Sequence, residues 1–183
     1  MPRKFTVTRT AYQFDELTDK AKDRAIQSHF DAVGWSWNSE AIASLKALAE
    51  HFGGRLTDWQ VDFFGNSYSS ASFAMPENEY GNGAEWHNEL AGKLLMLGSY
   101  DPETLKGHGD CKLTGVCFDE SAIDGFRKAF HQGETDLESL MQSAFCSWLA
   151  DCLADCADLL CYKQFSETCE ANGYEFDENG DLI

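Results

Sequence analysis

The sequence predicts a single α+β domain spanning residues 1–183, with several amphipathic helices packed on a small antiparallel sheet and a β-hairpin at the C-terminal end. Three observations predict this class. Several segments repeat apolar residues at three- and four-residue spacing, which is typical of amphipathic helices. One segment, residues 55–75, is instead rich in aromatic and β-branched residues, which favour strands. The length of 183 residues and the hydrophobic fraction of 43% suit one domain with a sizeable core.

The N-terminal part of the chain predicts one strand followed by two helices. Residues 4–12 alternate threonine with apolar residues, as a half-buried strand does. Thr18 is a favourable N-cap, and Asp19 places a negative charge in the first turn of the helix that follows. A second helix is predicted from Asn38 to Phe52, because its apolar residues share one face and two glycines follow it. These apolar residues are Ile42, Leu45, Leu48, Ala49 and Phe52.

The segment after this helix predicts a β-hairpin. Residues 56–64 and 67–75 have the composition of strands, and Gly65-Asn66 between them is a turn signal. Side chains alternate between the two faces of a strand. Alternation therefore places three apolar residues on one face of the first strand: Trp59, Val61 and Phe63.

The middle of the chain predicts loops around one short helix. Residues 76–89 are loop-like, residues 90–97 end a short helix, and residues 100–115 form a long polar loop rich in glycine. Trp86, next to His87, falls in the first of these polar stretches. We therefore expect Trp86 to be an exposed aromatic residue that anchors a partner.

The C-terminal third predicts two helices and a hairpin. Residues 119–130 form the first helix, and a long acidic helix is predicted from Thr135 to Phe165. The chain then ends in a β-hairpin from Tyr174 to Ile183, because Asn179-Gly180 suits a tight turn in which both residues adopt positive φ.

Four of the seven cysteines lie in the predicted long helix. At about 100° per residue, Cys152 and Cys156 fall on the apolar face together with Phe145 and Leu149. Cysteine on such a face behaves as a small hydrophobic residue. Three aspartates fall together on the opposite face: Asp151, Asp155 and Asp158. The pattern predicts an amphipathic helix with a buried thiol side and an acidic side.

A metal site is the alternative interpretation of the cysteines. Cysteines four residues apart can share a metal ion, and His108, Cys111, Cys117 and His131 lie upstream. However, the sequence has no CxxC or HxxxH pair, and the spacing of these upstream residues fits no known zinc pattern. A catalytic cysteine is not expected, because a strongly acidic chain raises thiol pKa values. The sequence also lacks a phosphate loop and the GxSxG and HExxH motifs. We therefore predict no metal, no cofactor and no catalytic residue.

The charge of the chain is strongly negative and unevenly placed. There are 14 Lys and Arg residues against 31 Asp and Glu, a net charge of −17. Residues 134–183 alone carry 12 acidic residues and one lysine, a net charge of −11. Such a surface repels nucleic acid and anionic membranes and attracts basic surfaces. The alternative is that the acidity only keeps the protein soluble.

Four segments resemble a family of small acidic proteins carried by bacteriophages and prophages. The opening motif is YQFDELTDKAKDRA, Tyr12 to Ala25, and the closing motif is EANGYEFDENGDLI, Glu170 to Ile183. The segments SLKALAEHFG and GNSYSSASFA lie between them. Members of this family are often labelled antitoxin-like, and the resemblance implies no catalytic residues. This chain departs from the family at Leu159–Cys161, which argues against a shared cysteine site.

Charge and resemblance together imply a non-enzymatic inhibitor of a bacterial nucleic-acid-binding defence complex, such as a CRISPR effector or a restriction enzyme. Its carboxylates would occupy positions where the defence complex normally binds phosphates. The expected partner is a basic host protein or ribonucleoprotein complex, with no direct binding to nucleic acid or membrane. The expected location is the cytoplasm of the infected bacterial host. The predicted partner-binding residues are Asp151, Asp155, Asp158, Glu167, Glu170 and Trp86.

Two other function classes stay open. An antitoxin-like module would neutralise a single small basic toxin. An enzyme or metal protein would act on a host component and would use some of the residues discussed above as a catalytic or metal site.

Overall fold

A computed structural model describes residues 9–33, 38–62, 68–77, 83–98, 113–115 and 118–183, without the side chains of residues 33, 38, 158 and 159. The fold is α+β: the described residues form six α-helices and a two-stranded antiparallel sheet. The helices are α1 (Asp19–Val33), α2 (Asn38–His51), α3 (Ala84–Met96), α4 (Phe118–His131), α5 (Leu137–Leu159) and α6 (Tyr162–Asn172). The strands are β1 (Arg55–Gln60) and β2 (Ser70–Ala74), and a 3₁₀ helix, Phe14–Glu16, precedes α1.

The chain divides into two compact units. The terminal unit comprises Met1–Ser36 and Asp155–Ile183, and the central unit comprises Trp37–Ala154. The interpretation of residues 1–183 as one domain stays a prediction.

The two strands of the central unit confirm the predicted hairpin pairing, but not the predicted face. A β-bulge between Leu56 and Asp58 interrupts the alternation of β1, so Leu56 and Trp59 are both half-buried. Leu56 pairs with Phe73, and Trp59 pairs with Ala71, both of which are buried. The predicted face was wrong because β1 ends at Gln60, before Val61. Phe63 and the turn at Gly65-Asn66 lie outside the described residues.

Helices of the central unit pack on each other and on the sheet. α2 contacts both α4 and β1, and the rings of Phe52 and Phe126 stack with centroids 4.3 Å apart. The side-chain amide of Gln142 in α5 donates a hydrogen bond to the carbonyl oxygen of Ala71 in β2, at 2.8 Å. Trp148 is fully buried in α5, and its indole N–H donates to the carbonyl oxygen of Ala41 in α2 at 2.8 Å. The apolar face predicted for α2 and the helix predicted at residues 119–130 therefore both contribute to this core.

The terminal unit has an aromatic core. The hydroxyl of Thr18 accepts the N–H of Ala21 at 3.3 Å, which confirms Thr18 as the cap of α1. The ring of Phe14 packs edge-on against that of Phe165, with centroids 4.9 Å apart. The core residues are Phe14, Leu17, Ala21, Ala25, Ile26, Phe165, Cys169 and Phe176.

The long helix predicted from Thr135 to Phe165 was wrong, because two helices occupy this segment. Cys161 is extended, with φ −68° and ψ 133°, and separates α5 from α6. No glycine or proline marks this break in the sequence. After the break, α6 buries Phe165 and Cys169 in the core of the terminal unit. This burial stabilises two separate helices, although the local helix propensity favours one continuous helix.

The last residues do not show the predicted regular β-hairpin. Phe176 instead forms isolated antiparallel bridges, one to Tyr12 and one to Leu182. The turn between Phe176 and Leu182 is closed by a hydrogen bond of 3.0 Å from the N–H of Gly180 to the carbonyl oxygen of Asp177. Asn179-Gly180 therefore lies in a turn, as predicted, but the residues on either side of the turn form a single bridge and not two paired strands.

Two further predictions fall largely on residues that the structure does not describe. These are the strand at residues 4–12, of which only residues 9–12 are described, and the loop at residues 100–115, of which only residues 113–115 are described. Among the described helices, none combines the length and the apolar character that a membrane span requires.

Candidate partner-binding surface

The aspartates predicted on the acidic side of α5 are partly described. Asp151 and Asp155 are exposed and lie four residues apart in the helix, which separates them by about 6 Å along its axis. Asp158 belongs to the same helix, but its side chain lies outside the described part of the chain. The periodicity therefore predicted correctly that Asp151 and Asp155 face away from the buried stripe.

Glu167 and Glu170 lie on the exposed side of α6. At about 100° per residue they are about 60° apart, opposite the buried Phe165 and Cys169. Neither side-chain carboxylate forms a hydrogen bond or an ion pair with the residues that the structure describes. Both are therefore available to a partner.

Several other acidic residues of the C-terminal part stabilise the fold. The carboxylate of Glu134 accepts the backbone N–H groups of Thr135 and Asp136, at 2.8 and 2.9 Å. The carboxylate of Asp136 accepts the N–H of Ser139 at 2.9 Å and so caps the start of α5. The negative charge of this part of the chain therefore has a structural component that the sequence did not reveal.

The terminal turn contains two more structural carboxylates. Asp177 accepts the backbone N–H groups of Asn179 and Asp181, at 2.9 and 3.0 Å, and these bonds lower its pKa. Asp181 forms a two-point ion pair with Arg24 of α1, at 2.8 and 2.9 Å. These four acidic residues, two at the start of α5 and two in the turn, have structural roles that account for part of the negative charge.

Among the described residues after 133, six exposed acidic side chains hold no hydrogen bond or ion pair. They are Glu138, Asp151, Glu167, Glu170, Glu175 and Glu178. The sequence prediction named three of them and missed Glu138, Glu175 and Glu178. Helix periodicity could have indicated Glu138, whereas the other two depend on the shape of the terminal segment.

Trp86 is not an exposed aromatic anchor, and that prediction was wrong. Its side chain is 5% exposed, and its indole N–H donates to the carbonyl oxygen of Thr135 at 2.9 Å. The helix begins at Ala84, not near Leu90, so Trp86 shares its buried face with Leu90 and Leu94. The four-residue spacing of these three residues is the signal that could have indicated burial.

Cys152 and Cys156 are buried, which confirms the packing interpretation of these cysteines. Burial, followed by the nearby charge of Asp155, raises the pKa of Cys156 to about 12. Burial, followed by the charge of Asp15, raises the pKa of Cys169 to about 11. Thiols with such pKa values are protonated at neutral pH and are poor nucleophiles.

The buried stripe of α5 differs in one respect from the predicted apolar face. Leu153 is exposed, while Trp148 is fully buried. Trp148 is about 100° from Leu149 on the helix, so the buried stripe is rotated toward the side that carries the aspartates. The acidic side of α5 is therefore narrower than the sequence predicted.

No group of three His, Cys, Asp or Glu side chains that could hold a metal ion occurs among the residues that the structure describes. His108, Cys111 and Cys117, which the metal alternative invokes, lie outside them.

No family model, curated protein or solved structure matches this chain. The resemblance to small acidic phage and prophage proteins therefore stays a prediction.

Proposed function

We propose that this protein is a non-enzymatic inhibitor of a bacterial nucleic-acid-binding defence complex and that it acts in the cytoplasm of an infected bacterial host. One observation carries the proposal. Residues 134–183 have a net charge of −11. The exposed carboxylates of Glu138, Asp151, Glu167 and Glu170 form no hydrogen bond or ion pair with the residues that the structure describes. The partner would be a basic protein or ribonucleoprotein of the CRISPR effector or restriction class.

The spacing of the carboxylates suits a groove that binds phosphates. One strand of duplex DNA carries about one phosphate per 3.4 Å of axis. Asp151 and Asp155 are separated by about 6 Å along α5, roughly the distance covered by two such steps. Carboxylates at this spacing can therefore face cationic side chains that otherwise face alternate phosphates.

The energetic contribution of these carboxylates depends on their number. A single exposed ion pair contributes only about 0–1 kcal/mol. Several carboxylates that face one basic surface act together, and they accelerate association through long-range attraction. The proposed mechanism is therefore competition with nucleic acid for the basic surface, and it requires no catalytic group.

Reversal of the exposed carboxylates tests the proposal. The variant Asp151→Lys/Glu167→Lys/Glu170→Lys changes the charge by six units, and Glu50→Lys/Glu77→Lys/Glu85→Lys is its matched control. All six residues are exposed, and both variants have the same total charge. The defence complex that co-purifies with the wild-type protein is used to measure affinity at low and high salt, together with binding of DNA to that complex.

We expect the first variant to bind at least about tenfold more weakly, which corresponds to 1.4 kcal/mol, and to lose competition with DNA. The control should keep most of its affinity. Salt should weaken the wild-type interaction strongly, because the paired charges lie at a solvated surface. Equal loss in both variants would show that overall charge, and not these three positions, determines binding. Capture of a single small toxin would favour the antitoxin-like alternative.

A further inference from the structure

The terminal unit contains an apolar pocket that has no role in the binding by exposed carboxylates proposed above. Its volume is about 140 Å³. The pocket lies where α1, α6 and the terminal segment meet. Its lining includes His29, Ala32, Phe165, Tyr174, Phe176 and Leu182.

The walls of the pocket are aromatic and well supported. The ring of His29 contacts those of Phe165 and Tyr174, with centroids 5.2 and 5.8 Å apart. Phe165 and Phe176 are buried in the core of the terminal unit, so their rings are held in place from behind. Such a pocket exists before a ligand binds, which lowers the entropic cost of binding.

The volume of the pocket limits the size of the group that can bind in it. A dry apolar cavity of about 150 Å³ in another protein accepts benzene. A pocket of about 140 Å³ therefore has room for one phenyl ring or one large aliphatic side chain.

An acidic cleft adjoins the pocket. Asp177, Glu178 and Asp181 line this cleft together with Arg9, and Leu182 lines both the cleft and the pocket. Asp181 is paired with Arg24, but Glu178 is exposed and forms no ion pair with any described residue. The side chain of Leu182 is 60% exposed, which leaves apolar surface at the boundary between the cleft and the pocket.

We propose that the pocket binds one phenylalanine or leucine side chain of a basic peptide segment, and that the flanking lysine or arginine residues of this segment face Asp177 and Glu178. The apolar walls select the anchor side chain, and the carboxylates of the cleft select the charge of the residues around it. Binding interfaces commonly combine such a central apolar anchor with a charged rim. The inference rests on the proposed function only for the sign of the partner's charge.

A peptide titration of the full chain tests the inference. The probe is the synthetic peptide Arg-Lys-Phe-Lys-Arg, compared with Arg-Lys-Ala-Lys-Arg and Glu-Glu-Phe-Glu-Glu. Binding is followed by the shifts of amide NMR signals. We expect saturable shifts at Ser28, His29 and Leu182 with the first peptide, and affinity at least about tenfold weaker for each of the other two.

Two variants, each with a control, test whether the peptide binds in the pocket and at the cleft. Ala32 lines the pocket but is exposed, so Ala32→Trp should block the pocket without unfolding the chain. Ala32→Ser is its matched control and should bind normally. Glu178→Lys should weaken binding of the basic peptide. Glu85→Lys, which changes an exposed acidic residue that lines neither cavity, should have a smaller effect.

Several outcomes would overturn the inference. These are equal binding of the phenylalanine and alanine peptides, equal binding of the acidic peptide, and unchanged binding by Ala32→Trp. Shifts at the same residues on simple concentration of the protein, without peptide, would instead identify a second copy of the chain as the occupant. The peptide assay uses neither the defence complex nor the Asp151, Glu167 and Glu170 variant, so its failure is distinguishable from failure of the proposed function.

Discussion

Phe176 and Leu182 test whether the terminal segment is part of the folded core. The two residues lie in one short segment and form a backbone bridge with each other. The side chain of Phe176 is 2% exposed, whereas that of Leu182 is 60% exposed. Their replacement by alanine therefore compares a buried residue with an exposed residue in the same local structure.

The expected difference follows from burial. Phe176 faces the rings of Phe14 and Phe165, with centroids 6.2 and 6.5 Å away. Replacing a buried phenylalanine by alanine typically costs about 3–5 kcal/mol, because apolar contact is lost and a cavity remains. A substitution at an exposed position such as Leu182 typically changes stability by about 0.5 kcal/mol or less. Because domains are stable by only about 5–15 kcal/mol, Phe176→Ala should remove a large share of the stability of the terminal unit.

Urea unfolding measures the two effects. Circular dichroism reports the midpoint of unfolding, and hydrogen exchange of the amides in α1 and α6 reports the terminal unit specifically. Phe176→Ala should lower the midpoint and the protection of these amides, and Leu182→Ala should change neither. An unchanged midpoint for Phe176→Ala would show that the terminal segment is a loose tail whose aromatic contacts contribute nothing. Equal losses in both variants would show that burial does not determine the size of the effect.

The remaining predictions concern the cysteines, a glycine and a tyrosine. Cys152→Ala with Cys156→Ala should lower the free energy of unfolding by about 1–3 kcal/mol in total, and stoichiometric zinc that disappears in this variant would contradict the packing role. Gly180→Ala should cost more than about 1 kcal/mol, because φ is +88° and an added Cβ would lie 2.1 Å from the carbonyl oxygen of Ala21; an unchanged melting temperature would refute the close approach. Tyr162 donates a hydrogen bond to Asp23, and this bond raises the pKa of the tyrosine to about 12. The stabilisation is complete below the ordinary pKa of about 10 and is lost as pH rises toward 12, so Asp23→Ala should shift the ultraviolet titration of Tyr162 to lower pH; an unshifted curve would exclude the bond.

Local patterns were sufficient where neighbouring residues decide the structure. Thr18 caps α1 because its hydroxyl reaches an N–H three residues ahead, and α2 begins at Asn38 as the apolar spacing predicts. The burial of Cys152 and the exposure of Glu167 also follow from helical periodicity, since a side chain's face depends only on its position along the helix. The class of fold and several candidate contacts could therefore be predicted from the sequence.

Tertiary structure decided the features that depend on distant partners. The indole N–H of the buried Trp86 donates to the carbonyl oxygen of Thr135, 49 residues away in the chain. The close approach of α4 to α5 requires Gly125, where a Cβ would lie 2.5 Å from the carbonyl oxygen of Ser143. Nothing in the neighbouring sequence indicates either contact.

Some features of the candidate sites could likewise be predicted from the sequence, and others depend on tertiary contacts. Periodicity indicates that Glu167 and Glu170 face away from the core, but it cannot show that Asp181 is neutralised by Arg24, 157 residues away in the chain. The apolar pocket brings together α1, α6 and the terminal segment, which are far apart in sequence. The sequence by itself determined the apolar side of α2 and most of that of α5, because this depends on residues within one or two turns. Only the folded chain decided which helices end early, which carboxylates are paired and where a pocket forms, because those depend on packing between segments that the sequence does not place side by side.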